Sequence, residues 1–373
     1  MFQSDVKLLS ELPDPAPQLR TLLIVKTDDI GDYILFRDFL RVIREHYKGY
    51  KITLIGNRVW RTLAEGLDKE YIDNFIWLNK PDFMKNKEYR FEILKQIRSS
   101  GFEEVICPSY SRNLFLEDVI SAAAGAKRTV GIDGNSKNTF QWQDQQSRKY
   151  YSELIKVESG QFEFFLNKDF FEAMFRKGVD CYKPTIALKP WNAFKKRFGN
   201  YIVLFPGASV KSKKWNLQYF KEVGEFLAKT YDLHIIVAGG PYEILLGDQI
   251  CSHFKYKNKI TDMTGKTSLM QLCELIQDSI LLITNDTCSI HMAGALNVDA
   301  IVLANGNNYG RFLPYPEEIS TKIKTIYPNS FIKKLQSYGT AKMYNWKEKT
   351  DINEISITTV EKAAEAILYK YRK

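Results

Sequence analysis

Short apolar runs alternate with amphipathic stretches along nearly the whole chain. The runs at 22–25, 52–55, 75–78, 104–107 and 129–132 are four residues long and rich in β-branched side chains, as in "LLIV" and "ITLI". Such runs read as strands buried on both faces. The intervening stretches at 33–46, 59–65 and 85–99 have helical spacing. In the first of them Leu35, Phe39 and Val42 fall on one side and Phe36, Leu40 and Ile43 on the other. A second series of strands follows at 202–205, 234–238, 260–263, 280–284 and 300–304. Its helices carry start signals: Asn216 precedes Leu217, Phe220, Val223 and Leu227, and Ser268 to Gln271 has capping-box spacing before Leu272 and Ile276.

Strands alternating with helices predict an α/β chain with parallel sheets covered on both faces. Residues 135–197 are polar, aromatic and less periodic, with Pro184 and Pro190 near a hinge. The expected organisation is a first domain over 1–190, a second over 191–350, and a last helix within 351–373. That helix opens with Thr358, Thr359, Val360 and Glu361, has a clear apolar face, and is expected to pack back on the first domain. No short-period repeat or low-complexity segment interrupts the pattern.

Composition narrows the class. Over 373 residues, 45% hydrophobic and 26% charged is ordinary for a folded chain with two cores. The net charge of +9 suits an anionic partner such as a nucleotide, a nucleic acid or a lipid headgroup. The basic residues are spread rather than blocked, which argues against a nucleic-acid tail. Arg37, Arg41 and Arg44 share one face of the 33–46 helix, either a contact with a membrane surface or a solvated basic face. Five scattered cysteines, never as Cys-x-x-Cys, read as reduced and buried, in a cytosolic compartment. No signal peptide is legible at the start, and no apolar run approaches the ~18 residues of a membrane span. The expectation is a cytoplasmic protein, peripheral on the membrane at most.

Four polar stretches fall at carboxyl ends of strands, where open α/β sheets bind ligands. The first is "KTDDIGDY", residues 26–33, where Gly31 permits a tight turn and Asp32 lands at a helix N-terminus. Asp32 there is either a cap or a carboxylate placed to accept a proton. The second, "FPGASVKSKKWN" (205–216), brings Ser209 and Lys213 after a glycine turn, as a basic surface loop or an anion site. In the third, "VAGGPYE" (237–243), Glu243 is a plain turn residue or a partner for a ribose hydroxyl pair. The fourth, "TNDTCSIHMAGAL" (284–296), offers Asp286, Thr287 and a helix start to a diphosphate, with His291 structural or functional. Asp-x-Asp, Walker A and Gly-x-Gly-x-x-Gly are all absent, and the four histidines lack ligand spacing. No metal or other cofactor is expected; Lys213 and helix dipoles supply positive charge instead.

In combination, "LLIVKTDDIGDYILFRDFLRVIRE", "VLFPGASVKSKKWN", "AGGPYE" and "TGKTSLMQLCELIQDSILLITNDTCSIHMAGAL" resemble the family 9 glycosyltransferases, the bacterial heptosyltransferases. The resemblance covers most of the chain. It implies a GT-B architecture, two Rossmann-like domains whose parallel sheets face an interdomain cleft. It also implies metal-independent, inverting sugar transfer from an ADP-linked heptose to a lipopolysaccharide-core acceptor. Carried over by position, the family's Gly-Asp pair is Gly31-Asp32, which makes Asp32 the general base; Lys26, Asp29 and Gly31 in the same stretch are expected on the acceptor side. Lys213, Asp286, Thr287 and His291 fall at the donor diphosphate and sugar and Glu243 at the nucleoside; Ser209, in the loop of Lys213, is expected to bind the donor as well. The chain departs from the family where Asp28 and Asp29 stand in place of a small pair, at Cys288, and in the loop "NGNNYGRFLPYP". The alternatives are a GT-B sugar-nucleotide epimerase or hydrolase, a non-catalytic sugar-nucleotide or glycan binder, and a basic nucleic-acid binder; this last lacks any reader motif.

Overall fold

The structure is a computed structural model that describes residues 2–16, 18–135, 139–189, 192–348 and 350–371. The expected boundary at 190/191 lies outside the described residues. The chain divides into two compact units, Met1–Ser159 with Phe164–Cys181 and Gly160–Glu163 with Tyr182–Lys373.

The first unit holds a six-stranded sheet of β1 (Gln18–Lys26), β2 (Lys51–Asn57), β3 (Asn74–Leu78), β4 (Phe102–Cys107), β5 (Arg128–Asp133) and β6 (Glu153–Lys156), in the order β3-β2-β1-β4-β5-β6. The second unit repeats the plan with β7 (Tyr201–Phe205), β8 (His234–Val237), β9 (Ile260–Asp262), β10 (Leu281–Asn285), β11 (Ala300–Leu303) and β12 (Ile323–Ile326), ordered β12-β11-β10-β7-β8-β9. All ten pairings are parallel. In each sheet the strand order reverses beside the first strand, between β1 and β4 and between β7 and β10. Loops leaving such a reversal splay to opposite faces and open a crevice for ligands.

The centres of both sheets are apolar on both faces: Leu22 to Val25 and Leu281 to Ile283 are fully buried. The expected helix over 33–46 is two helices, Ile30–Ile34 and Phe39–His46. Between them the chain tightens into i→i+3 bonds, with Phe36 N donating to Tyr33 O, Phe39 N to Phe36 O and Leu40 N to Arg37 O. Within the residues expected to be irregular lies a helix, Glu163–Phe175. Its Phe164 and Phe171 rings pack on Phe39 at 5.1 and 5.3 Å, so it is part of the first unit's core.

The last helix, Ile357–Leu368, corrects an expectation. It packs on the second unit, not the first: Val360, Ala364 and Leu368 are buried in one cluster with Trp215, Phe220 and Leu227. Trp215 Nε1 donates to Ile355 O at 2.9 Å, fixing the chain just before it. An apolar helix face states that it needs a partner, not which one. The complementary face of the helix Leu217–Tyr231 decides it.

The basic face of the first helices is also not a free surface. Arg37 is buried against Asp68, with Nη2 2.7 Å from Oδ1. Arg44 binds Asp73 at 2.6 Å and the carbonyls of Tyr71 and Tyr50. Arg41 pairs with Glu45 and donates to Asp180 O. These guanidiniums stitch neighbouring elements together.

Candidate active site

In the first unit the reversal at β1 carries "TDDIGD". Asp28 ties three strand ends together. Its carboxylate lies 2.7 Å from Lys26 Nζ and accepts from Ser109 Oγ at 2.9 Å. Its carbonyl accepts from Trp60 Nε1 at 3.0 Å and Asn57 Nδ2 at 3.4 Å. Burial works to raise the Asp28 pKa, but the Lys26 ammonium and the bonds from Lys26 and Ser109 outweigh it, and Asp28 is held below the usual carboxylate range. Lys26 itself is fully buried, donates to Pro108 O at 3.3 Å and lies over the Phe36 ring. Expected on the acceptor side, it instead supports the loop from beneath.

Asp29 is at the N-cap position of the helix Ile30–Ile34, and Asp32 is in its first turn, half-buried. The cap position is therefore not Asp32, and a carboxylate in the first turn is stabilised by the helix's N-terminal N–H groups. Gly31 is helical, so its expected tight turn does not form there. Tyr33 follows, its ring stacked on Trp60 at 4.0 Å and its hydroxyl donating to Asp68.

A residue not foreseen is Glu117, in a π-helical turn, Leu114–Asp118, after β4. It is buried, accepts from Thr27 Oγ1, and accepts from Asn113 N at 2.9 Å. Burial, reinforced by the charge of Asp28, pushes its carboxyl up to about 7. Its only sequence signal was its place just beyond a central strand.

In the second unit two chain segments converge at the reversal between β7 and β10. The loop after β7 carries Ser209, exposed, and a short 3₁₀ turn Lys211–Lys213. Lys213 Nζ lies 2.6 Å from Asp286 Oδ2, just after β10. Asn285, buried, locks the segments together: its Oδ1 accepts from Trp215 N at 3.1 Å and its Nδ2 donates to Pro206 O at 2.7 Å. Asn305 Nδ2 adds a bond to Ser212 O at 3.1 Å. Neither asparagine was foreseen as a brace; each stands at a strand end, the one signal that marked it.

Thr287 is at the N-cap position of the helix Cys288–Leu296, partly exposed, and its side chain makes no capping bond. Helix N–H groups at this point lie beside Lys213, and donors of both kinds suit an anion. His291 is buried one turn on, and its Nδ1 shares a hydrogen bond with the Tyr315 hydroxyl at 2.8 Å. Burial, with Lys213 adding to it and Asp286 opposing, lowers its pKa to about 4. The ring is neutral at pH 7. Gly294 lets Tyr315 in: a Cβ there meets the Tyr315 ring at 2.6 Å.

Glu243 reaches across two turns. Its Oε2 accepts from Gly240 N at 2.5 Å, and its Oε1 lies where a Cβ on Gly207 would come within 2.5 Å. The glycine after β7 thus admits a carboxylate supplied from the turn after β8. Among the described residues no cluster of three His, Cys, Asp or Glu is arranged to hold a metal ion. No helix among them is long and apolar enough to cross a membrane.

The family model for glycosyltransferase family 9 (heptosyltransferase) matches residues 90–340. The chain belongs to glycosyltransferase family 9. It is therefore an enzyme that transfers a sugar, which sets aside a non-catalytic binder and a nucleic-acid binder. A curated relative, lipooligosaccharide heptosyltransferase 2 of Campylobacter jejuni, is 25% identical over 78% of this chain and 82% of its own. A family 9 glycosyltransferase from Veillonella parvula superposes with a TM-score of 0.71 at 19% identity, covering 95% of this chain and 98% of that one. The E. coli heptosyltransferase WaaC with ADP superposes at 0.68 with 14% identity, over 93% of this chain and 99% of that one. The likeness shows the GT-B fold of this glycosyltransferase.

Proposed function

We propose that this enzyme moves a heptose from an ADP-linked donor to an acceptor of lipopolysaccharide-core type, with inversion and without a metal ion. The observation that carries the donor half is the convergence of Lys213, Asp286 and the start of the helix Cys288–Leu296 at the β7/β10 reversal. Those groups suit a diphosphate. Supporting it, a solved structure of WaaC holds ADP-2-deoxy-2-fluoro heptose. The acceptor class follows the name of the Campylobacter relative.

In the proposed step Asp32 accepts the proton of the acceptor hydroxyl. The hydroxyl oxygen bonds to the anomeric carbon as the bond from that carbon to the diphosphate oxygen breaks. The electron pair leaves on the diphosphate, which Lys213, Ser209 and helix N–H groups near Thr287 stabilise. Lys213 exchanges Asp286 for phosphate when donor binds. Glu243 addresses the ribose, and His291, neutral and fixed by Tyr315, orients the sugar end. Asp29 flanks the acceptor.

The enzyme works in the cytoplasm, meeting the inner membrane face through a lipid-linked acceptor; its nine-charge excess favours anionic lipid. The test is transfer from ADP-heptose to heptose-deficient lipooligosaccharide, with excess chelator in one arm. Equal rates with and without chelator and an inverted anomeric centre are expected. A loss restored by a divalent ion contradicts the metal-free step, and rapid donor turnover without acceptor contradicts transfer.

A further inference from the structure

The arginines of the first helices are spent on ion pairs, so the chain's nine-charge excess has to meet an anionic partner elsewhere. One surface of the second unit concentrates it. Residues 329–348 carry four lysines, Lys333, Lys334, Lys342 and Lys347, against a single acid, Glu348. They form two helices, Asn329–Tyr338 and Thr340–Met343, and an irregular segment that follows.

These elements enclose a cavity of about 450 Å³, within the size range of ligand sites. It is lined by Tyr338 and Trp346, 55% and 53% exposed, and by buried Met343. The acid is already neutralised in the lining. Glu348 Oε1 lies 2.8 Å from Lys334 Nζ and accepts from Thr350 N at 3.0 Å and Thr350 Oγ1 at 2.9 Å. Four lysines less one acid leave a surplus of three positive charges. Lys342 Nζ lies over the Tyr338 ring at 4.6 Å, and Lys347 and Lys333 are exposed.

Hydrogen bonds tie this patch to the loop after β11. Asn308 N donates to Trp346 O at 3.0 Å, and Glu348 N to Asn307 Oδ1 at 3.3 Å. Asn305 of the same loop bonds Ser212, next to Lys213. The patch therefore lies at the end of the second sheet that carries Lys213. Lysines around exposed Trp and Tyr rings match the bilayer interface, where amphipathic rings sit at headgroup depth and ammoniums meet phosphates. The cavity adds what a flat basic face lacks, room to seat one headgroup.

We propose that this pocket docks the second unit on an anionic lipid surface, seating a phosphodiester headgroup beside Lys342 and Lys347 while the Tyr338 and Trp346 rings enter the interface. The proposal rests on the reading that the enzyme meets a membrane, and names the surface that does so. None of these residues has a part in the bond changes of sugar transfer.

The test is sedimentation of the full chain with phosphatidylcholine vesicles, with and without phosphatidylglycerol. Binding to the anionic vesicles alone is expected. A lysine near an anionic leaflet is worth about fivefold in partitioning, so Lys342→Gln with Lys347→Gln should weaken binding roughly twentyfold. Trp346→Gln removes no charge and should weaken it as well; unchanged binding there overturns the docking. A control pair, Lys195→Gln with Lys196→Gln, removes the same charge from an exposed helix, Ala193–Phe198, of the same unit. It should cost far less, and equal loss in the two pairs overturns the proposal. So does release by inorganic phosphate beyond that by chloride at equal ionic strength, which marks a site for a free anion. ADP affinity equal to wild type checks that each variant is folded. The two readings fail separately: a wild type that ignores phosphatidylglycerol defeats membrane contact itself, whereas wild-type binding with equal loss in both lysine pairs defeats this pocket alone.

Discussion

The two sheets share one strand order, yet their reversal points are furnished oppositely. At β1 the loop presents carboxylates, and the cations nearest them, Lys26 and Lys80, are held in ion pairs. At β7 and β10 the loops present N–H groups, a helix start and Lys213, with Asp286 as the carboxylate that restrains the lysine. In the proposed reaction one end accepts a proton and the other receives an anion. A repeated fold therefore fixes where chemistry happens, while the loop residues fix its sign.

The sharpest way to break this contrast is Asp32→Asn. Loss of a general base costs about 10²–10⁴ in rate, so transfer should nearly vanish while the fold persists by circular dichroism. Wild-type turnover contradicts the assignment. Next comes Lys213→Ala, which removes a charged bond to phosphate, on the order of 1.5–3 kcal/mol or ~10–100-fold in donor affinity. Calorimetry with ADP-heptose reads it, and an unchanged Kd places the anion elsewhere.

A third test addresses stability at the acidic end. Lys26→Met strips a buried partner from Asp28, and breaking a buried pair costs about 3–5 kcal/mol. A urea midpoint equal to wild type shows that Asp28 is not held by that charge. The smallest effect is a slope with pH. The Glu117 carboxyl is raised from 4.5 to about 7 in the fold, so its contribution is intact below pH 4.5 and is lost as pH rises to 7. Glu117→Gln should flatten that part of the urea-midpoint curve. A slope identical to wild type contradicts a buried, reluctant carboxyl.

The central strands were legible because they are continuous apolar runs, and their ends marked where to look for chemistry. Two of the four edge strands, β6 and β12, were not. Glu153–Lys156 and Ile323–Ile326 are four-residue stretches with polar members that pair on one side, so neither needs a full apolar run. In the helix Glu163–Phe175 the polar residues Glu163, Asn167, Lys168, Asp169 and Glu172 are dispersed among the apolar ones rather than gathered on one face, which blurs the periodicity that reveals a helix. At the site, Lys213 and Glu243 drew attention because they follow glycines at strand ends, and Asp286 because it directly follows a buried strand. The burial of Lys26 was not legible, because a lysine at a strand end reads the same whether it points to solvent or, as here, to the Asp28 carboxylate. Glu117, Asn285 and Asn305 act through distant partners, which a linear pattern does not display.

The most direct test of the division of labour is calorimetric titration of ADP into the wild type, Lys213→Ala and Asp32→Asn. The account predicts weakened binding for Lys213→Ala and wild-type affinity for Asp32→Asn. Weakened binding in Asp32→Asn with none lost in Lys213→Ala would contradict it.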